Sequence, residues 1–96
     1  MVTYGVRFEE ALSGELRAER ARRNMTEAQI AQRLGIHRVS VSRYLSGVRH
    51  IPISVFAELC QILDVDTLEI VSRAEIAARK AMEEDEKGSV KKPSKE

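Results

Sequence analysis

The chain of 96 residues has one cysteine, no tryptophan and four aromatic residues in all, two tyrosines and two phenylalanines. A lone Cys60 excludes an intramolecular disulfide and any cysteine-rich zinc site. Four aromatics are too few for a base-stacking platform or a sugar-binding cleft. No apolar run exceeds three residues, as at Val55-Phe56-Ala57, so no membrane-spanning helix is expected. The start, MVTYGVRFEE, turns acidic before an apolar stretch develops, so no secretory leader is read there. Acidic residues are missing altogether between Glu27 and Glu58. His37, His50 and Cys60 match no metal-ligand spacing, and no nucleophile–base pair, phosphate-cradling glycine loop or paired buried carboxylates can be assembled. Neither an enzyme, a metal site nor a cofactor is expected, and the chain reads as a small cytoplasmic protein of one domain.

What is present is strongly segregated. Residues 17–49 carry eight arginines against Glu19 and Glu27, a net of +6, and residues 58–86 carry nine acids against three bases, a net of −6. The total of +1 hides this division. A basic first half suggests a surface for a polyanion, and the acidic second half a surface for something else.

The apolar spacing is helical throughout and predicts an all-α fold of five helices. Residues 6–23 set Phe8, Ala11, Leu12 and Leu16 on one face and end in an arginine-rich turn. Thr26-Glu27-Ala28-Gln29 is a capping box, in which the threonine hydroxyl and the glutamine side chain each satisfy a free amide of the first turn. It opens a helix over about 27–34, which Gly35 stops. A second short helix runs over about 37–46 and closes at Gly47. Pro52 suits the first turn of a fourth helix bearing Val55, Phe56, Leu59, Ile62 and Leu63. Asp66, with Glu69 three residues on, opens a fifth helix reaching about residue 82. The charged stretch from Glu83 to Glu96 is nearly free of apolar residues and is expected to be a disordered tail, leaving residues 1–82 as the folded domain.

Specificity enters between Glu27 and Ser46, EAQIAQRLGIHRVSVSRYLS. Two short helices crossing at a tight turn need a small residue at the crossing, Ala31, and a glycine at the turn, Gly35. They also need apolar residues that lock both helices to the body: Ile30, Leu34, Ile36, Val41 and Tyr44. This is the helix-turn-helix pattern, whose second helix enters the major groove. With Val41, Tyr44 and Leu45 turned inward, Arg38, Val39, Ser42 and Arg43 face outward as candidate base-reading residues. Arg38 can donate two bonds to guanine O6 and N7, and Val39 can pack on a thymine methyl. Thr26, Ser46, Arg49 and His50 are candidate phosphate contacts at the periphery, whereas Arg17, Arg20, Arg22 and Arg23 are read as surface pairs adding weak long-range attraction.

These residues, with LRAER (16–20), MTEAQIAQRLGI (25–36), SRYLSGVRHIP (42–52) and LCQILDV (59–65), resemble the Cro/phage-repressor (XRE) helix-turn-helix family and its lambda-repressor-like fold. The resemblance implies a sequence-specific regulator of transcription, often a repressor, that frequently binds paired half-sites of a double-stranded operator as a dimer. Glu27 stands where that family usually has glutamine, so it is expected to orient Arg38 or Arg43 rather than contact phosphate. His37 stands where serine often opens the reading helix, and is a poorer cap. A homodimer through the fifth helix is expected, with Ile70, Val71 and Ile76 as contacts, because apolar residues there circle more than one face. No small-molecule effector site is evident. Alternatives are the antitoxin of a toxin–antitoxin pair and a protein-interaction module without DNA function.

Overall fold

The computed structural model describes residues 2–91, with side chains through residue 87. Five helices follow in order: α1 Tyr4–Arg22, α2 Glu27–Leu34, α3 Arg38–Ser46, α4 Ile53–Ile62 and α5 Thr67–Lys91. Short polar side chains start three of them. The Thr3 hydroxyl accepts from the Val6 amide, the Thr26–Gln29 capping box is complete, and Asp66 Oδ1 accepts from the Leu68 amide. Pro52 precedes α4 as its N-cap residue, one position before the first turn expected for it.

The helix ends divide into two kinds. α2 and α3 stop at Gly35 and Gly47, with φ of 72° and 83°, where a side chain would be strained. α1 and α4 stop just before Asn24 and Asp64, both at φ 55°. Asparagine and aspartate are the side-chain-bearing residues that tolerate this region best. The Met25 and Val65 amides then close back on the Arg20 and Cys60 carbonyls at 3.2 and 3.0 Å.

Leu16 of α1, Ile30 of α2, Val41 and Leu45 of α3, Leu59 and Leu63 of the α4 region and Ile70 of α5 meet in one fully buried core. α1 and α5 form the most extensive helix pair. They run antiparallel, since Arg7 near the start of α1 bonds Asp85 late in α5, while Glu19 near the end of α1 bonds Arg73 in the first half of α5. The α5 residues facing inward are Ile70, Ala74 and Ala78, spaced by four.

α5 runs past residue 82, where the fifth helix was expected to end. Residues 83–91 continue the helix, and residues 92–96 of the expected tail lie outside the described residues. By composition alone a charged, apolar-poor stretch does not repay chain entropy. Yet the glutamates and lysines of this stretch are good helix formers that extend an already nucleated helix at little cost. Both guanidinium nitrogens Nε and Nη2 of Arg7 also grip the Asp85 carboxylate at 3.0 Å.

Candidate nucleic-acid interface

α2 and α3 pack against each other across a turn of three residues, 35–37. Ala31 is buried at the crossing, and its carbonyl accepts from both the Gly35 and Ile36 amides, at 2.8 and 3.1 Å. Ile30, Val41 and Tyr44 are buried as the motif requires, and Leu34 packs half-buried against the core. Ile36 departs from expectation. It is 37% exposed and outside the core, because its place just after the left-handed Gly35 commits its amide to the helix end and turns its side chain outward.

α3 is held by its inward residues Val41, Tyr44 and Leu45 and presents the rest outward. Arg38 and Arg43 are exposed, Val39 is 55% exposed and Ser42 is half-buried. Among the described residues, neither the Arg38 nor the Arg43 side chain makes a hydrogen bond or an ion pair. No carboxylate stands on residues 38–46. Such a surface is ready for a donor-seeking partner, since the guanidinium forks have no bond to give up. His37 begins the helix without a side-chain cap. Glu27, expected to orient Arg38 or Arg43, is half-buried and makes no ion pair with either. It sits in the first turn of α2, where a carboxylate complements the helix dipole.

The candidate phosphate contacts surround α3 in unequal states. The Thr26 hydroxyl accepts from the Gln29 amide at 3.0 Å, which leaves its own proton free to donate. Ser46 Oγ donates to the Arg43 carbonyl at 3.2 Å. Arg49 folds back over α3, with its guanidinium carbon 5.1 Å from the centre of the Tyr44 ring and Nη1 3.5 Å from Ser40 Oγ. His50 lies 2.9 Å from Glu9 of α1, so a carboxylate already partners it.

The arginines of α1 are not a loose surface set. Arg17 donates to the Leu45 carbonyl, Arg20 to the Met25 carbonyl at 2.7 Å and Arg23 to the Asp64 carbonyl at 3.1 Å. Arg22, Arg23 and Arg73 surround Glu19, which is only 4% exposed. The bond from Arg73 holds the Glu19 carboxyl below its usual range, although burial alone would raise it. Reading along the sequence missed these roles. The signal available was the spacing of Ser13, Arg17 and Arg20 beside the inward Leu16, which puts polar groups at the margin of a buried stripe.

Cys60 is buried, and burial pushes its thiol up. Among the described residues no group of three or more histidine, cysteine or acidic side chains is arranged to hold a metal ion. No helix among them is long and apolar enough to cross a membrane.

Of the expected dimer contacts, Ile70 is fully buried in the chain's own core and unavailable to a partner. Its side chain fills the inward stripe of α5, which the spread of apolar residues around the helix did not distinguish. Val71 is half-buried against the core, and Ile76 is 67% exposed.

No curated protein and no solved structure gives a significant match to the chain. A profile of the helix-turn-helix domain matches residues 11–72, from the middle of α1 into the first half of α5. The matched span covers the core and both helices of the motif, and points to a DNA-binding regulator. By its matched span and by the geometry of α2 and α3, the chain belongs to the helix-turn-helix domain family.

Proposed function

We propose that this chain is a sequence-specific transcriptional regulator of repressor type that reads the major groove of double-stranded DNA with α3. The observation that carries the reading is the outward face of α3, where Arg38, Val39 and Arg43 stand exposed and the two guanidinium groups are unbonded among the described residues. In this reading Arg38, at the first turn, donates to a guanine edge, Val39 meets a thymine methyl, and Ser42 and Arg43 complete the base contacts. Thr26, Ser46 and Arg49 grip phosphates on either side. His50 joins them once phosphate displaces Glu9. To do so the Arg49 guanidinium leaves the Tyr44 ring and the Ser40 hydroxyl.

A second copy of the chain completes an operator of two half-sites in this reading. Leu68 is 75% exposed, and with Ile76 it lies on the side of α5 opposite Ile70, Ala74 and Ala78, two turns apart. Pairing there would have to set two α3 helices at the half-site spacing of a duplex, about 34 Å. Selection of bound sites from random duplexes tests both parts. A recovered motif with two-fold symmetry supports the dimer, a single asymmetric motif leaves monomeric reading, and recovery of no motif overturns sequence-specific binding.

A further inference from the structure

The last turn of α3 is anchored to α1 by two side chains. Ser13, buried to 4% exposure, donates its hydroxyl proton to the Tyr44 carbonyl at 3.2 Å. Arg17, one turn further along α1, donates to the Leu45 carbonyl through Nη1. A helix end leaves its final carbonyls without intrahelical partners. In α3 the Arg43 carbonyl accepts from the Arg49 amide and the Tyr44 carbonyl from the Gly47 amide, each at 3.2 Å. Among the described residues the Leu45 carbonyl has Arg17 alone. A cation at that place also complements the negative end of the helix dipole.

We infer that Arg17, supported by Ser13, is a positioning residue that sets the tilt of α3 on the body and through it the aim of Arg38 and Val39. The inference rests on the proposed reading of DNA by α3. α3 is nine residues long, so its axis spans about 13 Å. A short helix fixed at its C-terminal end swings its N-terminal end by a comparable lever when that fixing is lost. Arg38 and Val39 are the first two residues of the helix, so a change of tilt displaces them. Base-edge bonds tolerate little displacement, whereas phosphate attraction tolerates more. Loss of Arg17 therefore costs discrimination between sequences rather than attraction to DNA.

The test uses Arg17→Met and Ser13→Ala in the full chain, with Arg17→Lys as a variant that keeps the charge and one donor. Amide hydrogen exchange of the free protein is read first. Arg17→Met is expected to speed exchange several-fold at the Gly47 and Arg49 amides, with Ile30 and Ala31 of α2 unchanged. On DNA, the ratio of affinity for the duplex selected by the wild type to that for a scrambled duplex is expected to fall about tenfold, the effect of roughly one mismatched base pair. Affinity for the scrambled duplex and its dependence on salt stay as in the wild type. Ser13→Ala changes no charge and shifts the same two readouts in the same direction by less, and Arg17→Lys recovers part of both. Unchanged exchange at Gly47 and Arg49 overturns the inference. So does an equal loss on both duplexes with the salt slope reduced by about 0.9, which marks a direct phosphate contact. A wild type without any sequence preference defeats the proposed function instead, and the exchange measurement still decides whether Arg17 holds α3.

Discussion

On α1 and its C-cap, Arg17, Arg20 and Arg23 each reach a backbone carbonyl beyond the helix, and Arg22 pairs with the buried Glu19. On α3, Arg38 and Arg43 are exposed and make no such bond among the described residues. The same side chain thus serves structure on one helix and is left exposed and unbonded on the other. Net charge alone does not distinguish the eight arginines of residues 17–49. The folded chain divides them by whether a carbonyl or carboxylate lies within reach.

This division can be broken in several ways. The largest effect is expected where α1 meets the core. Leu16→Ala should lower unfolding free energy by about 2–5 kcal/mol, since Leu16 is fully buried. Urea denaturation measures it. A loss below about 1 kcal/mol would mean that α1 is not the structural helix of the pair.

Arg38→Ala should leave thermal stability almost unchanged and cost about 1–3 kcal/mol in affinity for the selected duplex, with relaxed preference at one base pair. Titration of the selected and scrambled duplexes reads both. A drop in melting temperature comparable to that of Leu16→Ala would place Arg38 with the structural arginines.

The Glu19 network sharpens the comparison through pH. Because the folded Glu19 carboxyl is held below its ordinary value, its contribution is present above that value and lost as pH falls through the folded one. Melting temperature should therefore decline as pH drops below about 4.5, the ordinary value, and Glu19→Gln should flatten part of that decline. An identical pH profile for both proteins would remove Glu19 from the account.

The smallest effect is expected at the far end of α5. Arg7 and Asp85 are both partly exposed, so ending the chain at Met82 should leave the melting temperature almost unchanged. A loss of several kcal/mol would show that residues beyond Met82 do more than this one pair.

What the sequence made legible was local. The Thr26–Gln29 capping box, the glycines at 35 and 47 and the inward positions Ile30, Ala31, Val41 and Tyr44 are set by spacings of a few residues. What it did not make legible depends on where helices cross. Arg17 finds Leu45 twenty-eight positions away, Arg73 finds Glu19 fifty-four away, and Asp85 meets Arg7 seventy-eight away. Hydropathy alone does not tell which apolar stripe of α5 turns inward, and it leaves Ile70 open to a partner where the fold gives it to the core. Ile36 was misplaced for a related reason, since a residue after a left-handed glycine leaves the helical register that its neighbours obey.

The most direct measurement of the central claim is methylation protection of guanine N7 on the selected duplex, because that atom lies in the major groove beside O6. Wild-type protein should protect guanines in the bound site, and Arg38→Ala should lose protection at one of them while Arg20→Met keeps it. Protection that persists in full with Arg38→Ala, or that appears only at adenine N3 in the minor groove, would contradict major-groove reading by α3.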